Sequence, residues 1–270
     1  DPFWTSIWKS LKNILLALAD MKLTVFLIIM IGFWTMFNQL FYTLPNFIDQ
    51  WVNTHMIYQW LAGISPDIAS AVGTKAGTIA PEMMVNLDAG FIILFQILIS
   101  SIVMRLKPVN AIISGVMVVS VGIGLSFATN NGFYVILGIF IFAIGEMASS
   151  PKFTEYIGRI APENKEALYM GTSFLPVAAG NFLAGIFAGP VYQSMSDKVS
   201  LLQHYVAKQG LQIPAISEKF TQNDYLKRAA ELLHTDQNGL SQLLWNTYHP
   251  YRIWVLFSAI GVATIIALVL

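Results

Sequence analysis

The chain alternates between long apolar runs and shorter polar connections, and the runs are the length of membrane spans. A helix needs about 20 mostly apolar residues to cross the hydrocarbon core. Six segments meet that need: Leu23–Thr43, Leu87–Met104, Val109–Ala128, Phe133–Ser150, Ala167–Val191 and Ile253–Leu270. Thr129-Asn130-Asn131-Gly132 is a turn signal that splits the third from the fourth. The fourth is expected to continue as helix beyond Pro151, and Pro176 is expected to bend the fifth by removing a backbone hydrogen bond. The short alternating strands of a transmembrane barrel are not the pattern here.

The first 21 residues follow a different rule. Trp4, Ile7, Trp8, Leu11, Ile14, Leu15 and Leu18 recur at helical spacing, with Lys9, Lys12 and Asn13 elsewhere around the helix. Such a helix is expected to lie in the membrane interface. Residues 22–270 then form the bundle, with long connections at 49–86 and 194–250. In the second of these, Leu201, Leu202, Tyr205 and Val206, then Tyr225, Ala229, Leu232 and Leu233, predict short amphipathic helices forming a small cap. The fold class is therefore all-α, an integral membrane six-helix bundle with an N-terminal interfacial helix.

Composition sharpens this picture. The chain is 56% hydrophobic and 11% charged with no net charge, against about 25% charged residues in a soluble domain. A nucleic-acid partner would require a basic footprint that is missing. Without cysteine there can be no disulfide. Lys9, Lys12 and Lys22, then Arg105 and Lys107, then Lys152, Arg159 and Lys165 all fall at one end of the expected bundle. The positive-inside rule makes that end cytosolic, places both termini there, and sends both long connections outside. The expected location is a bacterial inner membrane. The start at Asp1-Pro2 suggests a piece of a longer polypeptide.

Glu146 is the residue most in need of explanation. No charge separates it from Lys107, and an acid within a span marks a polar cavity or a partner. The alternative is that it snorkels to water at the cytosolic boundary. Asn38 and Gln39 in the first span, Asn86, Asp88 and Gln96 in the second, and Asn181 in the fifth are further polar groups. Each serves either as interhelical glue or as part of one polar cavity. Trp34 and Tyr42 are candidate apolar walls. Gly185 and Gly189 form a small-xxx-small pair for close helix packing, as do Gly115, Gly122 and Gly124 in spirit. Enzyme motifs are lacking: there is no His-Glu-x-x-His, Gly-x-Ser-x-Gly, phosphate loop or Gly-x-Gly-x-x-Gly. His55, His204, His234 and His249 show no ligand spacing, and no cofactor is expected.

Several of these segments, in this order, resemble the C-terminal half of a major facilitator superfamily transporter, and most nearly the proton-dependent oligopeptide transporter family. Phe33-Trp34-Thr35-Met36-Phe37-Asn38-Gln39 is similar to that family's seventh-helix Phe-Trp-x-x-x-Glu-Gln, and Val85-Asn86 with Phe91 to its eighth-helix Asn-Pro-x-Phe. Gly145-Glu146 with Ser150-Pro151 resembles the tenth helix. Gly171-Thr172-Ser173-Phe174-Leu175 and Gly180-Asn181-Phe182-Leu183-Ala184-Gly185 resemble the eleventh. The resemblance spans roughly residues 23–193. It implies that Glu146 binds the substrate's amino group, that Asn86 lies near its carboxylate end, and that Trp34 and Asn181 lie near the cavity or a gate; Asn38 and Gln39 are further candidate substrate-binding residues. Three departures stand out. Asn38 occupies the place of the family's seventh-helix acid, the eighth-helix proline is missing, and no N-terminal six helices are present. Asp88, expected near the outer boundary, is the candidate replacement for the lost acid, so Glu146 and Asp88 are the proton-coupling candidates.

The expectation is thus the C-terminal half of a proton-coupled symporter moving peptide-like or other zwitterionic solutes by alternating access between two six-helix halves. Its partners would be the N-terminal half, the lipid bilayer, protons and a small polar solute. Without that half, the chain is expected to self-associate through the spans bearing Trp34, Asn86 and Glu146, or to persist as an inactive bundle in detergent. The alternatives are half of a facilitator for a non-peptide solute, which Asn38 favours, and a non-transporting scaffold or receptor acting through its external segments.

Overall fold

The structure, a computed structural model, describes residues 3–270, without the side chains of Ser6, Ser10, Leu125 and Ser126. Residues 1 and 2, the start of the expected interfacial helix, lie outside the described residues. Among those described, the regular elements are helical, and the only β-like pairings are isolated bridges such as Asn53 with Asn131.

Helix α1 (Phe3–Ala17) leaves Phe3, Trp4, Trp8, Leu11 and Leu15 exposed and lies along the bundle's end. Asp20 starts α2 (Met21–Phe37) by accepting from the backbone N–H of Lys22 and Leu23. That satisfies donors every helix N-terminus leaves open. The short α3 (Gln39–Tyr42) continues it, and α4 (Leu44–Trp51), α5 (His55–Ile64), α6 (Pro66–Val72) and α7 (Pro81–Val85) form the first long connection. Then come α8 (Leu87–Val103), α9 (Pro108–Ser126) and the 29-residue α10 (Gly132–Ile160), which runs through Pro151 as expected. Asn131, in the foreseen turn, caps α10 by accepting from Phe133 N–H.

The fifth apolar segment is broken. Helix α11 (Glu166–Thr172) gives way at Ser173 to α12 (Phe174–Ile186), and a π-turn over Phe187–Val191 leads into α13 (Tyr192–Met195). Both irregularities follow from proline. The ring of Pro176 clashes with the carbonyl four residues back, at Thr172, and Pro190 does the same to Ile186.

The cap exists and holds one more helix than the sequence suggested. Helix α14 (Lys198–Lys208) buries Leu201, Leu202 and Val206, and α15 (Gln222–Leu232) buries Tyr225, Ala229 and Ala230. The additional α16 (Gln237–Tyr248) buries only Leu240 and Leu244, too sparse a stripe to announce itself. Helix α17 (Arg252–Val269) closes the chain.

Five helices or continuous helical runs are long and apolar enough to cross a membrane: Met21–Tyr42, Pro81–Val103, Gly132–Ile160, Glu166–Lys208 and Arg252–Val269. The third expected span is α9, whose described apolar stretch, Pro108–Gly124, is shorter than these. The long apolar helices indicate an integral membrane protein. The spatial order is α12, α2, α17, α9, α10, α8, each packed on the next. Phe33, Met36 and Phe142 fill the middle, and Trp254, packed edge-on to Phe47, Phe127 and Phe257, fills the end beneath the cap.

Glycines set the closest approaches, although not all the expected ones. A Cβ on Gly115 would stand 2.6 Å from the Gly145 carbonyl, so α9 and α10 touch backbone to backbone. A Cβ on Gly180 would stand 2.4 Å from the Trp34 Cβ, bringing α12 onto α2. Gly185 and Gly189, by contrast, have open space beside them. The packing role expected for that pair is therefore not met within this bundle, because it lies on a face that no described helix covers.

Candidate functional site

The tight α9–α10 contact fixes the rotation of α10. One residue beyond Gly145, it directs Glu146 toward α8 rather than into the α9 contact. Glu146 stands near the middle of its helix, about 21 Å along the axis from Gly132 at a rise of about 1.5 Å per residue. Asp88, in the first turn of α8, meets it there: the two carboxyl groups lie within hydrogen-bonding reach of each other.

This corrects the expected place of Asp88. The second apolar segment does not begin at the bundle's rim, because α7 precedes α8 in one helical run from Pro81 to Val103. Asp88 is therefore carried about 10 Å inward from Pro81 and is only 4% exposed.

The pair has no basic counterpart. Among the described residues the ion pairs are Lys152–Glu155, Arg159–Glu155 and Arg228–Glu231, none of which touches Asp88 or Glu146. Asp88 Oδ1 and Glu146 Oε2 are buried and receive no donor. Phe91 and Phe95 of α8 pack edge-on to Phe140 of α10 on the neighbouring turns, so the carboxyls are flanked by aromatic surface. Two ionised carboxylates in such surroundings would be costly, several kcal/mol per buried ion before their repulsion is counted. A single proton between them removes one charge and supplies the hydrogen bond.

Ser150, one turn along the same face of α10 from Glu146, lines a cavity of about 480 Å³. Trp34, Phe153, Thr154, Gly171 and Phe174 are among its other walls. Trp34 packs against Phe33, Phe37 and Phe153, and its indole N–H is buried without an acceptor.

The remaining candidates divide. Asn38 donates to the Trp34 carbonyl at 2.6 Å, which ties its amide to its own helix. Gln39 is fully buried; it donates to the Thr35 carbonyl and across to the Ala184 carbonyl of α12, and accepts from Thr43. It is interhelical glue. Gln96 donates to Ser100 within α8. Asn86 is exposed at the head of α8, two residues before Asp88, and Asn181 is half-buried on α12 beside the Gly180 contact with Trp34. The structure thus brings Asp88 to Glu146, and Trp34 to the neighbouring cavity, while Asn38 and Gln39 are occupied locally. Comparison with protein-family models, with curated proteins and with solved structures gives no match.

Proposed function

We propose that this chain is the C-terminal half of a proton-coupled secondary transporter for peptide-like or other zwitterionic solutes, working by alternating access with an N-terminal half. The observation that carries the reading is the Asp88–Glu146 carboxyl pair, held inside an apolar helical bundle with no cation of its own. Ionisable groups at such depth are functional by default.

The coupling follows from counting charges. With one proton shared between Asp88 and Glu146, the pair carries a single negative charge, which a solute ammonium can neutralise. Without that proton, one ammonium leaves a net negative charge in an apolar site, which disfavours the closed, loaded state. Proton and solute therefore travel together. The proton also acts mechanically: shared, it draws α8 onto α10; released, it leaves two like charges that push these helices apart. That gives alternating access a two-state element biased by protonation. Trp34 and the cavity beside Ser150 supply an apolar wall for the rest of the solute.

Asn38 is an amide and offers no titratable group, so on this reading Asp88 supplies the second acid from another helix. The test is uptake into liposomes by this chain joined to its N-terminal half. Glu146→Gln and Asp88→Asn are each expected to lower proton-driven uptake at least 10-fold, with dipeptides competing for the wild type. Unchanged uptake in a well-folded Glu146→Gln variant would remove the proposed role.

A further inference from the structure

A second polar cavity lies at the opposite end of the bundle, between the first long connection and the cap. Its volume is about 790 Å³, ample for a small solute. Asp49 of α4, Lys198 at the start of α14, and the amides of Asn53, Asn130 and Gln242 are among its walls, with Trp51 beneath. These come from four separate parts of the chain, and the cavity exists only because the cap folds back onto the first connection.

The charges in it are opposite and apart. The Lys198 ammonium donates to Ser241 Oγ at 2.9 Å and sits 4.9 Å from the centre of the Trp51 ring. An ammonium carries three donors, so one neutral hydrogen bond and a ring face leave capacity for an anion. Asp49 is exposed and acts on Lys198 through space, but the two do not close to an ion pair. Among the described residues Asp49 has no hydrogen-bond partner.

The frame holds the two charges in place. Gln50, next to Asp49, accepts from the Lys198 backbone N–H at 3.0 Å and from the Tyr192 hydroxyl at 3.0 Å, and donates to Asp197 at 2.8 Å. Trp51 Nε1 donates to the Ser196 carbonyl at 2.8 Å. Helix α4 is thereby tied to the start of α14, which holds the backbone at Asp49 beside the backbone at Lys198.

We propose that this cavity is a second binding site, separate from the Asp88–Glu146 pair, for a zwitterionic amino-acid or peptide-like molecule: Lys198 takes its carboxylate, Asp49 its ammonium, and the Asn and Gln amides its peptide group. A neutral sugar would suit the amides and the tryptophan but would leave both charges unanswered. The inference shares the solute class of the transport reading but depends on different residues. On that reading the cavity faces the outside and holds solute before it reaches the middle of the bundle.

The test is calorimetric binding of alanyl-alanine, its C-terminal amide and its N-acetyl form to the complete polypeptide in lipid nanodiscs, in a Glu146→Gln background that silences the other site. Binding is expected to persist in that background, and each capped form to bind at least 10-fold more weakly than the free dipeptide. Lys198→Met is expected to abolish the preference for the free carboxylate while retaining that for the free amine, and Asp49→Asn the reverse. These are preferences within one variant, so a general loss of stability cannot mimic them. Loss of all binding in Glu146→Gln would leave a single mid-bundle site and overturn the inference while sparing the transport reading. Glucose binding without dipeptide binding, or preferences unmoved by either the Lys198→Met or the Asp49→Asn variant, would also overturn it. Lys198-dependent binding in a protein that shows no proton-driven uptake would uphold the inference and count against the transport reading alone.

Discussion

On the proposed reading Glu146 and Asp88 act as one group, and substitutions should show it. Because a single exchangeable proton serves both, replacing either acid by its amide keeps a hydrogen bond but removes that proton, and replacing the second has little left to remove. The double variant Asp88→Asn/Glu146→Gln is therefore expected to transport no worse than the weaker single variant, read as initial uptake rates. Multiplicative losses would mean two independent roles. Gly145 belongs to the same account, since its lack of a Cβ lets α10 meet α9 at the rotation that points Glu146 at α8. Gly115→Ala, on the other side of that contact, would press a methyl onto the Gly145 carbonyl. The cost is expected to be about 1–3 kcal/mol, the usual range for overpacking, read from unfolding in detergent. Glu146 was legible from sequence because a lone charge in an apolar run has few innocent explanations. Its pairing with Asp88 was not, because sequence does not say how deep a span begins. Only the short helix before Leu87 moves Asp88 inward.

At the scale of elements, the junction between α1 and α2 is a latch with a definite response to acid. Asp20 caps α2 and accepts from the Tyr169 hydroxyl of α11 at 3.0 Å. That hydrogen bond, followed by those from the Lys22 and Leu23 amides, holds its carboxyl below the ordinary value near 3.8. A depressed carboxylate contributes stability that is fully present above the ordinary value and is lost as pH falls through the lowered one. Amides of α1 are therefore expected to exchange evenly with solvent hydrogen from neutral pH down to about 4, then to lose protection relative to α10 below it, once intrinsic exchange is corrected for. Asp20→Asn should flatten that loss; an unchanged acid response in the variant would assign it elsewhere. Element boundaries were read well where turn chemistry is explicit, as at Thr129–Gly132. They were missed where a weak apolar stripe hid α16, and at the π-turn around Pro190, whereas the irregularity near Pro176 was foreseen as a bend.

The whole molecule presents apolar surface that water would not tolerate. Ile93, Leu94, Ile97 and Leu98 project from α8, with Ile97 86% exposed, and Phe174 and Phe182 do so from α12. Lipid covers such a surface without cost, and so would another helical bundle. Helices α8 and α12 stand at the two ends of the packing order, and two glycines with open space beside them are Gly185 within α12 and Gly189 just after it. On the half-transporter reading, this open side receives the N-terminal half. Cysteines at Phe182 and Ile97 are expected to cross-link to that half in the joined protein, and joining is expected to raise the unfolding temperature in detergent. Cross-links confined to a second copy of the same chain would favour a self-associated bundle instead. The membrane class and the helical segments were written in composition and periodicity. How the segments neighbour one another was not, because an apolar span carries little information about which side faces lipid.

The most direct measurement of the central claim is proton-driven uptake of a dipeptide into liposomes by the joined transporter, compared with Glu146→Gln and Asp88→Asn variants shown to be equally folded. The account expects uptake in the wild type that collapses with the proton gradient, and a loss of at least 10-fold in each variant. Dipeptide uptake indifferent to the proton gradient, or undiminished when either acid is neutralised, would contradict it.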